Sequence, residues 1–259
     1  MTRKIGLAAL TVLELSPQDQ VSEAAQAGYD FVGLRLIPVA GQPYQHAIDV
    51  AAIEKRLAAT GMKVLDVEVF RLDPETRVAD FEPMLAAAAR LRASDLLVHG
   101  ADPDASRLAG NWGRLCDLAG RYGLAPNLEP MPWVEVSTIA KASRILGLAP
   151  RGNAAVLVDA IHFFREANRF ADLAGTRTRY LQFCDARAQK PASMDEIRRQ
   201  AREDRLFPGE GELDLRGLLG ALPRDLPISL EVPHTGRFDA RERAQRALAA
   251  TRLLLSGVA

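Results

Sequence analysis

Ile5-Gly6-Leu7-Ala8-Ala9-Leu10-Thr11-Val12-Leu13-Glu14 is the stretch on which the fold turns. Ile5 to Leu10 is an unbroken apolar run, the pattern of a strand covered on both faces of a parallel sheet. The turn after it, Thr11 to Glu14, holds no glycine. An open, doubly wound sheet that binds a dinucleotide carries a glycine-rich turn at this point, because the pyrophosphate must approach the backbone closely. Without that turn, the same strand–helix start reads as the first unit of a closed barrel.

The unit recurs outward along the chain. Apolar runs at 5–10, 31–36, 64–70, 96–99, 125–128, 154–158, 180–183 and 228–230 read as strands. Amphipathic helical patterns lie between and after them, at 18–27, 50–59, 81–92, 107–122, 137–146, 163–173, 194–202 with 213–221, and 240–255. Ser137 and Asp214 stand where helix N-caps belong, and Gly28, Gly61 and Gly123 stand where a left-handed residue ends a helix. Eight such units in 259 residues predict an α/β chain folded as one (β/α)8 TIM barrel, a single domain over residues 1–259.

Composition narrows the partners. Apolar residues at 48% and charged residues at 25% suit a globular domain with a sizeable core. Lys plus Arg equals Asp plus Glu, 33 each, so no global field draws in nucleic acid or an anionic membrane. An anionic ligand would have to meet a local group of cations. Two cysteines, Cys116 and Cys184, make no disulfide framework, which points to a cytoplasmic enzyme, monomeric or homo-oligomeric. The run at 5–10 is too short to span a membrane, and no small-residue cleavage site closes it as a signal peptide would.

A barrel of this kind works at the C-terminal ends of its strands. Strands five to eight end in Leu128-Glu129-Pro130, Val158-Asp159-Ala160, Leu181-Gln182-Phe183 and Leu230-Glu231-Val232. One such carboxylate is usually a salt-bridge partner. Four oxygen-bearing side chains on four successive strands, with few cations close in sequence, point instead to a bound metal. An all-oxygen set of Glu129, Asp159, Gln182 and Glu231 suits Mn²⁺, Mg²⁺ or Co²⁺ better than a structural zinc, which prefers Cys or His.

These segments resemble the xylose-isomerase-like barrel superfamily of sugar isomerases, epimerases and dehydratases. The resemblance rests on Asn127-Leu128-Glu129-Pro130, Asp159-Ala160-Ile161-His162, Gln182-Phe183-Cys184-Asp185-Ala186-Arg187, Pro208-Gly209-Glu210-Gly211-Glu212-Leu213-Asp214 and Ser229-Leu230-Glu231-Val232-Pro233. It implies one divalent metal held by Glu129, Asp159, Gln182 and Glu231. The substrate would be a small polyhydroxylated carbonyl compound, which loses and regains a proton next to the carbonyl. Glu129 and Glu231 would act as acid and base, as in the epimerases, where such members usually place His at the position of Gln182. A glutamine there resembles the 3-dehydroshikimate dehydratase branch, in which His162 would serve as base. Removal of water from an acidic cyclic hydroxy-ketone is therefore the alternative reaction.

Further site residues follow from the strand ends. His99 ends strand four and is expected to face the barrel mouth. Arg35, at the end of strand two, suits a substrate carboxylate or phosphate, which its planar fork binds bidentately. Arg187 and Arg205, in the long stretch after strand seven, are expected to add to that contact. Glu68 is placed to pair with Arg35 or Arg71, and Trp133 to wall the pocket or fill a loop. Abasic-site endonucleases share the barrel but hold a zinc cluster with several histidines, and only His46, His99, His162 and His234 occur here. A non-catalytic effector-binding descendant would be expected to have lost ligands, yet all four positions keep metal-competent side chains.

Overall fold

The computed structural model describes residues 3–39 and 41–257. Nine strand segments, β1 (Ile5–Leu7), β2 (Phe31–Arg35), β3 (Lys63–Leu72), β4 (Asp95–Gly100), β5 (Ala125–Glu129), β6 (Ala155–Val156), β7 (Val158–Asp159), β8 (Leu181–Phe183) and β9 (Ile228–Leu230), form one sheet in the order β6-β5-β4-β3-β2-β1-β9-β8-β7. Every named pairing is parallel. The two ends of that order are consecutive in sequence: β6 and β7 are the halves of the sixth strand, parted at Leu157, whose N–H still donates to the carbonyl of Leu128 at 3.0 Å. The sheet therefore closes on itself as the expected TIM barrel.

Helices α1 (Pro17–Ala27), α2 (Val50–Thr60), α3 (Glu82–Arg90), α4 (Ala105–Arg121), α5 (Ile139–Leu148), α6 (Ala160–Arg165), α7 (Met194–Glu203), α8 (Leu215–Gly220) and α9 (Ala240–Ser256) connect and cover the strands. Strands with apolar side chains on both faces bury one face into the barrel and the other under these helices, and residues such as Leu34, Val67, Val98, Leu128, Val156 and Trp112 of α4 are fully buried. Asp104 caps α4 by accepting from the N–H groups of Ser106 and Arg107 at 2.9 and 3.0 Å. Gly28, Gly61 and Gly123 take left-handed φ values of 85°, 70° and 74° at helix ends. No helix among the described residues is long and apolar enough to cross a membrane.

Two local expectations shift. Thr138, rather than Ser137, caps α5, its hydroxyl accepting from Lys141 N–H at 3.2 Å. The single helix expected over 163–173 is instead α6 followed by a short 3-10 turn at Phe170–Leu173. Asp159 starts α6 directly at the strand end. Asn168 interrupts it, donating to the carbonyl of Phe163 at 3.1 Å while its Oδ1 accepts from Ile139 N–H at 2.9 Å.

Candidate metal and active site

β5 and β7 end at Glu129 and Asp159, β8 carries Gln182, and Glu231 follows β9. Parallel register sets Asp159 beside Gln182 and His99 beside Glu129. All four oxygen-bearing side chains are buried, with exposures of 3%, 2%, 0% and 4% for Glu129, Asp159, Gln182 and Glu231. Gln182 Nε2 donates to Glu231 Oε1 at 2.9 Å. Ligand-capable atoms of Glu129, Asp159 and His162 lie within 4.8 Å of one another. Asp159 is also the N-cap of α6: its Oδ1 accepts the backbone N–H of His162 at 3.1 Å, so one helix start fixes acid and imidazole relative to each other.

Arg205 is the buried cation of this floor. Its Nη1 lies 2.7 Å from Asp159 Oδ2 and its Nη2 lies 2.6 Å from Glu231 Oε2, while Nε donates to the carbonyl of Ala201 at 2.7 Å. Burial works against ionisation of Asp159, but the Arg205 charge prevails and holds its carboxyl below the usual range. Glu129 and Glu231 are displaced the other way. Burial and then the Asp159 charge push Glu129 well above the carboxylate range, and burial does the same to Glu231 against the pull of Arg205.

Among the described residues Arg205 pairs with Asp159 and Glu231, whereas Glu129 meets only the imidazoles of His99 and His162. Gln182 Oε1 is also buried without a hydrogen-bond partner among the described residues. Buried carboxyl groups whose ionisation burial opposes, beside an unpartnered amide oxygen, form a donor set that one divalent cation would satisfy. Cys184 Sγ lies 3.5 Å from Arg205 Nη1, and burial pushes its thiol up to about 12.

Above the floor opens a cavity of about 620 Å³, the size of a small-molecule site. His99 Nε2 lies 2.9 Å from Glu129 Oε2, and His162 Nε2 lies 3.8 Å from Glu129 Oε1. His162 packs edge-on against Trp133, ring centroids 4.9 Å apart, and Trp133 lines the cavity. Burial drives both imidazoles down to about 3, so both are neutral at pH 7.

The arginines part company. Arg35 reaches the cavity, but its Nη2 is paired with Glu68 at 2.7 Å and its Nη1 is bonded to Gln42, so its charge is already met. Arg71 reaches Asp73 at 3.6 Å. Arg205 lines the cavity as part of the carboxylate network. Arg187 does not reach it: the side chain is exposed, and only its carbonyl is engaged, accepting from Arg165 Nη2 at 2.7 Å.

Asp185 holds the segment that follows β8. Asp185 Oδ1 accepts from Ala186 N–H and Leu213 N–H at 2.8 and 3.2 Å, and Oδ2 accepts from Gly209 and Gly211 N–H at 2.9 and 3.0 Å. Gly211 approaches this carboxylate so closely that a Cβ there would overlap it. The carboxylate thus ties both ends of the segment together. Within that segment, Arg198 and Arg202 of α7 line the wall beside Trp133. Neither was singled out from sequence. The signal was their spacing of four, on a helix whose Ile197 and Ala201 are its buried positions.

A family model described as xylose isomerase-like TIM barrel matches residues 21–254. A 3-dehydroshikimate dehydratase of Pseudomonas aeruginosa is 29% identical over 144 residues, which cover 53% of this chain and 22% of that protein. A 3-dehydroshikimate dehydratase of Pseudomonas putida is 28% identical over 54% of this chain and 22% of its own length. The match thus spans about a fifth of these curated relatives. Among solved structures, the IolI protein with a bound zinc atom superimposes with a TM-score of 0.81 at 20% identity, over 99% of both chains. A D-allulose 3-epimerase from Methylomonas sp. superimposes with a TM-score of 0.73 at 19% identity, over 97% of both.

Proposed function

The chain belongs to the xylose isomerase-like TIM barrel family, and from that membership we propose that it is a divalent-metal-dependent enzyme. It moves a proton at the carbon next to a carbonyl of a small polyhydroxylated substrate, as an isomerase or epimerase does. The observation that carries this reading is the burial of Glu129, Asp159, Gln182 and Glu231 at or beside strand ends, with ligand atoms of Glu129 and Asp159 within 4.8 Å of each other, beneath a cavity of substrate size. Those four side chains would hold Mn²⁺, Mg²⁺ or Co²⁺, and such an ion supplies Lewis-acid polarisation of a carbonyl oxygen.

The protein groups do the rest. Glu129 and Glu231 are the proton-transfer pair, one removing the proton and the other returning it. Transfer of this kind contributes roughly 10²–10⁴-fold. His162, neutral and braced by Trp133, holds a substrate hydroxyl by hydrogen bonding. His99 fixes the orientation of Glu129. Val69, Leu97 and Trp133 wall the cavity and keep the reacting carbons away from bulk water.

A second reading is dehydration of an acidic cyclic hydroxy-ketone such as 3-dehydroshikimate, with His162 as base. It is favoured by the unpartnered Gln182 amide oxygen at the third ligand position and by the two Pseudomonas relatives. The experiment that tests both is direct. The purified protein is assayed for bound metal, then incubated with ketoses in D₂O and separately with 3-dehydroshikimate. Deuterium uptake at a carbon-bound position supports isomerisation, and growth of an aromatic ultraviolet band supports dehydration. Glu129→Gln and Glu231→Gln are expected to abolish either reaction with the fold intact, and full activity in either variant would discard the proposed roles.

A further inference from the structure

The cavity is polar in a directed way, acidic at its floor and basic at one wall. On the floor Arg205 is held by Asp159 and Glu231, and at the mouth Arg35 is held by Glu68. On the wall, the one carboxylate partner of Arg198 among the described residues is Asp195, at 3.1 Å, whose side chain is 93% exposed and whose pull water screens. Among the described residues, no carboxylate oxygen lies within 4.0 Å of the Arg202 guanidinium. That guanidinium is half-buried, and it sits 5.9 Å from the ring centre of Trp133, as does that of Arg198.

Two like charges four residues apart on a helix repel, and partial burial makes the cost larger. Burial, then the charges of Arg198 and Arg35, hold Arg202 below the usual arginine range. The arrangement is costly for an empty wall and suited to one that receives an anion. Trp133 supplies a flat platform that keeps both guanidinium groups pointed at the same space.

We propose that Arg202, assisted by Arg198 across Trp133, binds an oxyanion group on the substrate, a carboxylate or a phosphate ester, and so sets the specificity of the cavity for anionic substrates. The placement rests on the proposed function in one respect: the reacting end of the molecule faces Glu129 and Glu231, and the oxyanion end faces α7. Arg35, the arginine that sequence position alone would choose, is excluded because its charge is already matched by Glu68. Arg202 is a specificity residue here; it does not touch the reacting atoms.

The test measures binding rather than turnover. Metal-loaded protein at fixed ionic strength is titrated calorimetrically with shikimate as a carboxylate probe, D-fructose 6-phosphate as a phosphate probe and D-fructose as a neutral one. At least one anion is expected to bind about 10-fold or more tightly than the neutral ketose, and the better anion identifies the group. Arg202→Gln is expected to weaken that anion about 10- to 100-fold, with Arg202→Lys recovering part of the loss, because a charged hydrogen bond is removed and then partly restored. Circular dichroism establishes that the variants fold. Absence of any anion preference, or an unchanged anion affinity in Arg202→Gln, overturns the proposal. Absence of metal uptake or of turnover with anion binding retained would strike the proposed function alone.

Discussion

Arg205 Nη2 stands 2.6 Å from Oε2 of Glu231, and its Nη1 stands 2.7 Å from Oδ2 of Asp159, so a single guanidinium joins two of the four groups that resemble metal ligands. Removing it leaves two buried carboxylates facing each other without a cation. Loss of one member of a buried ion pair costs roughly 3–5 kcal/mol. Arg205→Met is therefore expected to lower the unfolding free energy by about that amount in EDTA, with Mn²⁺ restoring part of it, as measured by urea denaturation. A variant as stable as the parent in EDTA would show that the network contributes nothing to the fold.

Acid titration isolates His162. Its folded value near 3 lies below the unfolded value of about 6.5, so the unfolded chain binds the extra proton first. The contribution of the neutral buried ring is fully present above pH 6.5 and is lost as the pH falls from there toward 3. The stability difference between the parent and His162→Gln should shrink on acidification by up to roughly 1.4 kcal/mol per pH unit. Taking a difference removes the contributions of titrating groups that do not touch His162. A difference that stays flat from pH 7 to pH 4 would refute the assignment of a neutral imidazole.

Glu68 neutralises Arg35 at 2.7 Å. Glu68→Gln keeps a hydrogen-bond acceptor for Arg35 but releases its positive charge into the cavity. Affinity for the anionic probe should rise several-fold at low salt, and the gain should fade as ionic strength increases. Calorimetry at two salt concentrations checks both parts, and an unchanged affinity would place Arg35 out of reach of the ligand.

Gly211 is required by close approach. A methyl group there meets the Asp185 carboxylate and the carbonyl of Ala186. Gly211→Ala should cost about 1–3 kcal/mol through overpacking, and should loosen the segment between Ala186 and Gly211. Limited proteolysis is expected to cut that segment faster in the variant. An unaltered cleavage rate would mean that the Asp185 clasp does not hold that segment in place.

The parts of the molecule governed by local pattern were legible in the sequence. The apolar runs at 31–36, 125–128 and 228–230 became β2, β5 and β9 with little change, and Gly28, Gly61 and Gly123 ended helices where a left-handed residue was expected. Glu129 and Asp159 end strands, Gln182 lies within one and Glu231 follows one, as expected of a parallel barrel that sends all strand ends to one rim. The pairing of Arg35 with Glu68 was among the expectations, but the role of Arg205 could not be read from sequence, since it depends on partners far away along the chain. Arg35 is tied to Glu68, and Arg205 to Asp159 and Glu231. The break of α6 before Asn168 was hidden for the same reason, its Oδ1 being taken by the start of α5.

Asp159 serves three neighbours at once: the amide of His162, the guanidinium of Arg205 and the cation-ready floor. Loading an ion beneath the cavity must redistribute electron density on that carboxylate and so alter how firmly the first turn of α6 is pinned. The amide proton of His162 is thus a built-in reporter. If the floor takes up a divalent ion, the NMR chemical shift and solvent-exchange rate of that amide should change with occupancy.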